Sequence, residues 1–437
     1  MGRMAGGAGW VFLLIFGLPI MATKTFMTTT SSMTTSASAT PAPPGMKMRI
    51  SSIDILRGLV MLIMAIDHVR DNFHRGAPDP TDMATTTPIL FFTRWITHFC
   101  APTFVFLSGV SAYLAGTRRT GSQQGAFLIK RGLWLILLEL TVITFAFFLD
   151  PGFHFLLLQV IWAIGGSMII LGVLVRLKVS PGNIGTIGAV IFFSHNLLDY
   201  MELGDLSRTY WWKMLWTCGP TPSSITAIGG GHSLATIYAL LPWTGVMLLG
   251  YAAGTLYASG FDAVRRKKLL LYSGLGLLGL FVVLRLFNLY GDPHPWGFQK
   301  TWVLSILSFF NVTKYPCSLL YLCMTLGPAL VFLACTEGIT GWFARVTTVY
   351  GQVPFFYYVL HWYLLQAIHV GLFFAMGFTS KQIVNPHGFF RFLPDGYGLN
   401  LPGVYLVTLV VITLLYWPCK WFGRYKKTHG QWWVSYL

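Results

Sequence analysis

One apolar stretch, SIDILRGLVMLIMAIDHVRDNF at residues 52–73, carries the densest set of ionisable side chains that could do chemistry. At helical spacing Asp54, Arg57 and His68 share one face, with His68 about 16 Å further along the axis than Arg57. A neutral imidazole suits general-base catalysis because its ordinary pKa, about 6.5, lies near operating pH. Asp67 lies about 100° around the helix from His68. The alternative is that Asp54 and Arg57 only fix the helix end and that His68 is interfacial.

The next apolar segment adds Arg94 and His98, one helical turn apart in TRWITHFCAPTFVFLSG. Consecutive spanning helices run in opposite directions, so this pair is predicted to reach the depth of Asp67 and His68. Two imidazoles, a carboxylate and a guanidinium would then share one pocket. Asp67, His68 and His98 could also form a metal site, but we expect no metal.

Other ionisable groups in apolar surroundings each need an explanation, because a charge in a bilayer costs roughly 2.5–3.5 kcal/mol on insertion scales. Glu139 is expected to be structural and to pair with a buried cation such as Arg57 or Arg285. A lone histidine in an apolar helix, such as His361, is more often a hydrogen-bonded core residue than a catalyst. The residues predicted to bring substrate-binding groups toward the cavity are Arg285, Asn288, Lys314 and His361.

The elements that hold these side chains must lie in a membrane. Of 437 residues, 54% are hydrophobic and only 10% are charged, against about 25% charged in soluble domains. The net charge of +16 would fit nucleic-acid binding, but the basic residues fall in short clusters between apolar runs, as in multi-pass membrane proteins. Six cysteines show no metal-ligand spacing. The composition excludes a soluble enzyme, and we expect no nucleic-acid partner.

The apolar runs predict an all-α polytopic bundle with about ten transmembrane helices. Segments predicted to be inside hold 17 Lys and Arg, against 9 in the alternate segments, so both ends are predicted to be cytoplasmic. The predicted spans are 53–72, 95–116, 132–150, 154–175, 183–198, 236–258, 269–289, 315–335, 352–376 and 403–419.

The first 47 residues have a different composition. Residues 9–21 resemble the apolar core of a signal peptide and precede a tract rich in Thr, Ser and Pro. We interpret residues 1–47 as a non-core extension or an over-extended start, residues 48–427 as the membrane domain, and residues 428–437 as a cytoplasmic tail.

Several longer runs resemble a known family. They are IDILRGLVMLIMAIDHVRD, RWITHFCAPTFVFLSGVSAYL, KRGLWLILLE, SFFNVTKYPCSLLYLCMTLGPAL and PFFYYVLHWYLL. Together they resemble bacterial multi-pass proteins related to the catalytic domain of heparan-alpha-glucosaminide N-acetyltransferase, in the transmembrane acyltransferase superfamily, over residues 49 to about 425. Two departures are Cys317, where a second Pro is expected, and Asp67, where the eukaryotic relative has Asn.

The resemblance implies a membrane acyltransferase that moves an acyl group, by default acetyl, from cytoplasmic acyl-CoA to an acceptor on the opposite side. Acyl-CoA would be a co-substrate, with no tightly bound cofactor. The acceptor stays open, with a sugar or glycan as an example. The expected location is the bacterial cytoplasmic (inner) membrane, and a homo-oligomer is possible.

Acyl transfer needs a base, stabilisation of the oxyanion and a clamp for the donor phosphates. We assign the base to His68, oriented by Asp67 or a neighbouring carboxylate; direct transfer and an acyl-His68 intermediate both stay open. The candidates to stabilise negative charge are Arg94, His98 and Lys314. The candidates to bind the CoA phosphates are Arg57, Lys130 and Arg131.

Two other classes of function remain. Intramembrane Asp, Arg and His could form the pathway of a transporter or lipid flippase. Alternatively, the Trp-rich outer loop could make the chain a non-catalytic membrane partner. Consumption of acyl-CoA with release of free thiol would favour the enzyme.

Overall fold

A computed structural model describes residues 51–76, 78–117, 119–201, 209–216, 218–220, 222–383, 392–431 and 434. The predicted extension at residues 1–47 lies outside the described residues. So does part of the predicted tail, at 432, 433 and 435–437.

Helices account for most of the described chain. In the first half they are α1 (Ser51–Phe73), α2 (Pro88–Thr97), α3 (Cys100–Gly116), α4 (Gly121–Leu138), α5 (Thr144–Phe148), α6 (Val160–Arg176), α7 (Pro181–Ser194) and α8 (Tyr210–Leu215). In the second half they are α9 (Leu240–Ala253), α10 (Ala263–Leu286), α11 (Trp302–Phe310), α12 (Leu319–Thr336), α13 (Trp342–Gly351), α14 (Pro354–Ala375) and α15 (Leu401–Thr428).

Side chains that accept hydrogen bonds from the first-turn backbone start many of these helices. Thr120 forms a reciprocal capping box with Gln123 at the start of α4. Thr87 and Ser180 each cap a helix whose first residue is proline, which lacks the N–H that would stay unpaired there. Capping side chains and first-turn prolines therefore account for where these helices begin.

Six helical segments in the described chain are long and apolar enough to cross a bilayer: Pro88–Gly116, Gly121–Phe148, Ala263–Leu286, Leu319–Thr336, Pro354–Ala375 and Leu401–Thr428. The mainly helical membrane fold is thereby confirmed. The other predicted spans overlap α1, which carries several charges, and α6, α7 and α9, which have 17, 14 and 14 residues. The count of about ten and the cytoplasmic ends stay predictions.

The all-α prediction is wrong in one region. A three-stranded sheet is formed by β1 (Phe155–Leu158), β2 (Ile225–Gly229) and β3 (His232–Thr236). Its order is β1-β3-β2, with β1 parallel and β2 antiparallel to β3. Glycines with positive φ (Gly229 at 93°, Gly230 at 61° and Gly231 at 81°) connect β2 to β3, a conformation that glycine adopts at little cost. The predicted span 154–175 thus contains β1, and the predicted span 236–258 starts at the last residue of β3.

Glu139 forms a hydrogen bond with the backbone, and not the predicted pair with a cation. It opens a π-helical turn, Glu139–Ile143, between α4 and α5, and its side chain is fully buried. Its Oε1 accepts a hydrogen bond from the backbone N–H of Gln159 at 2.8 Å, at the N-terminal end of α6. The first N–H groups of a helix have no partner within the helix, and the Glu139 oxygen satisfies one of them. The Glu139 side chain therefore stabilises the junction between β1 and α6.

The first helix crosses α13 at backbone contact distance. A Cβ on Gly58 would lie 1.8 Å from the carbonyl oxygen of Thr347, and one on Gly351 would lie 1.9 Å from that of Asp54. Arg57 closes the crossing by donating to the Gly351 carbonyl at 3.1 Å, to Asp54 at 3.1 Å and to Ser111 of α3 at 2.9 Å. Arg57 of the D-x-x-R-G sequence thus connects α1 to α3 and α13. Gly58 of the same sequence lets α1 and α13 approach closely, because small residues permit close packing of membrane helices.

We expect Gly58→Ala to destabilise the fold by about 1–3 kcal/mol, since the methyl group overpacks the crossing. The measurement is thermal unfolding of purified protein in detergent. Gly276→Ala in α10 is the matched control, because a Cβ there meets nothing within 4 Å. A Gly58→Ala protein that melts at or above the wild-type temperature would show that the close approach is not required.

A tight loop leads from α5 into the sheet and holds Leu149 and Phe153 at positive φ, 49° and 51°. The Asp150 carboxylate accepts from the backbone N–H groups of Gly152 at 3.1 Å and His154 at 2.9 Å, and from the His154 ring at 2.8 Å. Burial alone would raise the pKa of Asp150, but these hydrogen bonds outweigh it and lower the pKa to about 2. The ionised carboxylate therefore stabilises the loop.

The stabilisation by Asp150 should depend on pH. Its folded pKa lies below the unfolded value of about 3.9, so its contribution is complete above that pH and is lost as the pH falls toward 2. We expect Asp150→Asn to lower the melting temperature near neutral pH, with a difference from wild type that shrinks below about pH 4. Asp395→Asn, on an exposed loop, is the control. A pH-independent difference would contradict this role.

Candidate functional site

A cavity of about 120 Å³ opens where α1, α2, α5 and α14 meet the Lys314–Tyr315 segment. Polar and aromatic side chains dominate its wall. The lining residues are Asp67, His68, Asp71, Asn72, Arg94, Phe147, Phe148, Gln159, Tyr238, Lys314, Tyr315, Trp362, Gln366, His369 and Phe392. Four of the residues singled out from the sequence, Asp67, His68, Arg94 and Lys314, are thus brought together.

His68 contacts a second imidazole within the bundle. Its Nδ1 lies 2.6 Å from Nε2 of His361 on α14, and Nδ1 of His361 lies 2.5 Å from the carbonyl oxygen of Tyr358. A carbonyl oxygen only accepts, so Nδ1 of His361 carries the hydrogen and its Nε2 is an acceptor. Nδ1–H of His68 then donates to that acceptor. In this neutral arrangement the lone pair of His68 is on Nε2.

Aromatic packing fixes the His68 ring. The ring stacks on Trp362, with centroids 4.3 Å apart and planes at 27°, and on His361, with centroids 4.9 Å apart and planes at 20°. His361 also stacks on Tyr357, with centroids 5.5 Å apart. A ring held by a hydrogen bond and by stacking keeps one orientation, which is what a general base requires. The contact with His361 thus restricts the orientation of the His68 ring.

Asp67 contacts two cations, and its orienting role stays a prediction. One carboxylate oxygen accepts a hydrogen bond from Arg94, and the other lies 2.9 Å from Arg70. Arg70 also contacts Asp71 at 2.5 Å. All but Asp71 are largely buried, and the acidic and basic members alternate, so charge is balanced where desolvation is costly. The network links α1 to α2, and three of its members, Asp67, Asp71 and Arg94, line the cavity.

The sequence analysis missed several polar residues of the cavity: Gln159, Tyr238, Tyr315, Gln366 and His369. Gln366 donates to the carbonyl of Phe147 at 3.1 Å, and Nε2 of His369 lies 3.1 Å from the carbonyl of Phe392. A signal did exist for two of them, because Trp362, Gln366 and His369 recur at helical spacing. Gln159 and Tyr238 follow β1 and β3, strands that the sequence analysis did not predict.

His98 lies beside the cavity and does not line it. Pro102 lacks an N–H and cannot bond to the carbonyl four residues earlier, so the helix breaks between α2 and α3. That carbonyl belongs to His98, and it accepts a hydrogen bond from the Tyr321 hydroxyl at 2.9 Å. The buried His98 ring packs edge-on against Tyr321 at 5.3 Å. His98 was predicted to share the pocket of Asp67 and His68, whereas its ring lies beside the cavity and forms no part of the wall.

Arg285 and Asn288 do not line the cavity. The guanidinium of Arg285 donates to the backbone carbonyls of His294, Ser308, Phe309 and Asn311 at 2.7–3.0 Å. The Asn288 amide exchanges two hydrogen bonds with the backbone of Trp296. Because these donors are engaged by α11 and by the segments on either side of it, both residues stabilise the connection between α10 and α12.

The residues assigned to the CoA phosphates lie far from this cavity. Arg57 is about 16 Å below His68 along α1, and Lys130 is about 25 Å along α4 and α5 from Phe147. Lys130 is exposed and Arg131 is half-buried. Their role in donor binding stays a prediction.

The helices and the cavity define a multi-pass membrane protein with a hydrogen-bonded imidazole pair at a polar site. The family model described as "Heparan-alpha-glucosaminide N-acetyltransferase, catalytic" matches residues 49–282. The match covers more than half of the chain, which therefore belongs to this family. None of the curated proteins compared with the chain matches it. The matched range contains Asp67, His68 and Arg94, whereas Lys314 and His361 follow it.

The network around Asp67 allows a double-mutant test. We expect Asp67→Asn to destabilise the fold by about 3–5 kcal/mol, because it leaves the buried Arg94 without its charge partner. Adding Arg94→Gln to the Asp67→Asn protein should lower the free energy of unfolding much less than Arg94→Gln does in the wild type, since the two changes remove one interaction. Unfolding of all four proteins in detergent gives the coupling energy. Additive effects would contradict a direct pair.

Proposed function

We propose that this chain is a membrane acetyltransferase that transfers an acyl group from acyl-CoA to an acceptor in the cavity around His68. Membership of the acetyltransferase family supports the reaction class. The acceptor is proposed to be an extracytoplasmic molecule with a hydroxyl or amine, such as a sugar or glycan. The cavity lies at the end of α1 opposite Arg57, and the charge count predicts that the Arg57 end faces the cytoplasm.

The single observation that carries this proposal is the chain of contacts from Tyr358 through His361 to His68. A base must present an unprotonated nitrogen toward the nucleophile. With the Tyr358 carbonyl and the two imidazoles hydrogen-bonded in series, Nε2 of His68 is that nitrogen. His361 is a positioning residue, since it acts through His68.

The charges that surround His68 suit an acyl-transfer transition state. The carbonyl oxygen of the thioester gains negative charge as the acceptor attacks, and preorganised cations stabilise that charge. Arg94 and Lys314 line the same cavity as His68. Asp67 offsets the charge of Arg94, so we assign the main electrostatic role to Lys314.

The size of the cavity limits what it holds. A volume of about 120 Å³ is large enough for several water molecules. An acetyl group and the reacting end of an acceptor fit this space. Arg57, Lys130 and Arg131, nearer the opposite end of the bundle, are the proposed contacts for the nucleotide of CoA.

The direct reaction has a simple balance. The acceptor oxygen or nitrogen forms a bond to the acyl carbon while Nε2 of His68 takes its proton, and the bond from that carbon to the CoA sulfur breaks. The thiolate then recovers a proton from His68, which gives CoA thiol and the acylated acceptor. No oxidant or reductant is needed.

The test uses full-length protein in vesicles, labelled acetyl-CoA and a panel of sugars, amino sugars and alcohols. We expect His68→Ala to reduce acceptor-dependent thiol release by about 10²–10⁴-fold, as for loss of a general base. His361→Phe should reduce the rate less, because His68 keeps its nitrogen and loses only its orientation. His429→Ala, at an exposed helix end, is the matched control.

Melting temperatures separate loss of activity from loss of fold. A folded His68→Ala protein that retains full acyl transfer would show that His68 is not the base. Solute movement across the vesicle without consumption of acetyl-CoA would instead favour the transporter.

A further inference from the structure

A second cavity lies at the opposite end of the bundle from His68, between α13 and the last turns of α15. Its volume is about 440 Å³. Four cations line it: Arg345 from α13, and Lys420, Arg424 and Lys427 from α15. In the part of the chain that the structure describes, no carboxylate lines this basic groove. Nothing in the acyl-transfer mechanism uses it.

The cations on α15 form one stripe. Lys420, Arg424 and Lys427 are spaced by four and three residues, so they project from one face of the helix. Like charges at this spacing repel each other, and they cover about 10 Å along the axis. Gly423 lies within the stripe and also lines the groove. Its missing side chain leaves room there, since a Cβ would be 3.6 Å from the nearest atom, Oε1 of Gln352.

Exposed tryptophan residues indicate where the groove lies relative to the lipid bilayer. The indoles of Trp417 and Trp421 on α15 are 63% and 60% exposed, and Trp342 at the start of α13 is 71% exposed. Exposed Trp residues on membrane helices sit at the headgroup level. On the preceding turns of α15 the exposed side chains are apolar, including Leu406, Leu409 and Leu414. The basic groove therefore begins where the lipid-facing surface ends.

We propose that the basic groove binds the headgroup of an anionic phospholipid that carries two phosphates. Three features support this occupant. The cations are unopposed by carboxylates along the groove, the stripe is longer than one phosphate, and the position matches the headgroup layer. Basic pockets between membrane helices recognise such headgroups by charge-assisted hydrogen bonds. The lipid occupies a site separate from the cavity of His68.

The probe for this site is diphosphatidylglycerol, with phosphatidylcholine as the neutral lipid and CoA as the competing phosphate compound. We measure the melting temperature of full-length protein in detergent as each is titrated, and the lipid retained by native mass spectrometry. We expect diphosphatidylglycerol to raise the melting temperature and phosphatidylcholine to leave it unchanged.

The groove variant neutralises four residues: Arg345→Gln, Lys420→Gln, Arg424→Gln and Lys427→Gln. It should lose roughly tenfold or more in apparent affinity for diphosphatidylglycerol. The matched control removes four exposed cations elsewhere: Lys178→Gln, Arg265→Gln, Lys267→Gln and Lys268→Gln. It has the same net charge and should keep wild-type affinity.

Gly423→Leu provides a variant that retains every charge and fills the groove. It should also lose the lipid, which keeps the test valid where the fourfold groove variant does not fold. Equal lipid affinity of wild type and Gly423→Leu overturns the proposal, as does equal loss in the groove and control variants. Stabilisation by CoA that depends on the groove, without stabilisation by the lipid, assigns the site to a nucleotide and overturns it too.

Discussion

The structure depends on how ionisable side chains are satisfied where water is absent. A charge in a bilayer is costly unless a partner of opposite charge or a hydrogen bond compensates it. The first helix carries several such groups, and different kinds of partner compensate their charges at its two ends. Arg57 is engaged by the Asp54 carboxylate of the same helix and by a hydroxyl and a carbonyl from neighbouring helices, while Asp67 lies between two guanidinium groups. Each solution requires a particular neighbour, so the charges determine which helices pack together.

Sequence reasoning succeeded where the evidence was local. Apolar runs predicted helices that the structure contains, and helical spacing with antiparallel succession placed Arg94 beside Asp67. It failed where the partner is distant along the chain. His361 appeared to be a lone buried histidine, because nothing in its neighbourhood indicates contact with His68, 293 residues earlier. Glu139 was assigned a cation, since a backbone N–H at the start of α6 has no signature in residue types.

The small sheet shows a second limit of pattern reading. The residues of β1 are apolar and lead directly into an apolar helix, so periodicity alone does not separate the two. Its strand conformation is stabilised by pairing with β3, about 75 residues later. Gln159 and Tyr238 take their positions in the cavity from these strands. Two residues of the cavity wall thus take their positions from an element that only tertiary contacts reveal.

The first helix contacts its neighbours at two positions along its axis. Near one end Gly58 touches the backbone of α13, and about 15 Å away the imidazole of His68 meets His361 of α14. Only Gln352 and Val353 separate α13 from α14. A rocking or sliding motion of α1 against this pair would break one attachment or the other. These two attachments therefore join α1, α13 and α14 into a single rigid unit.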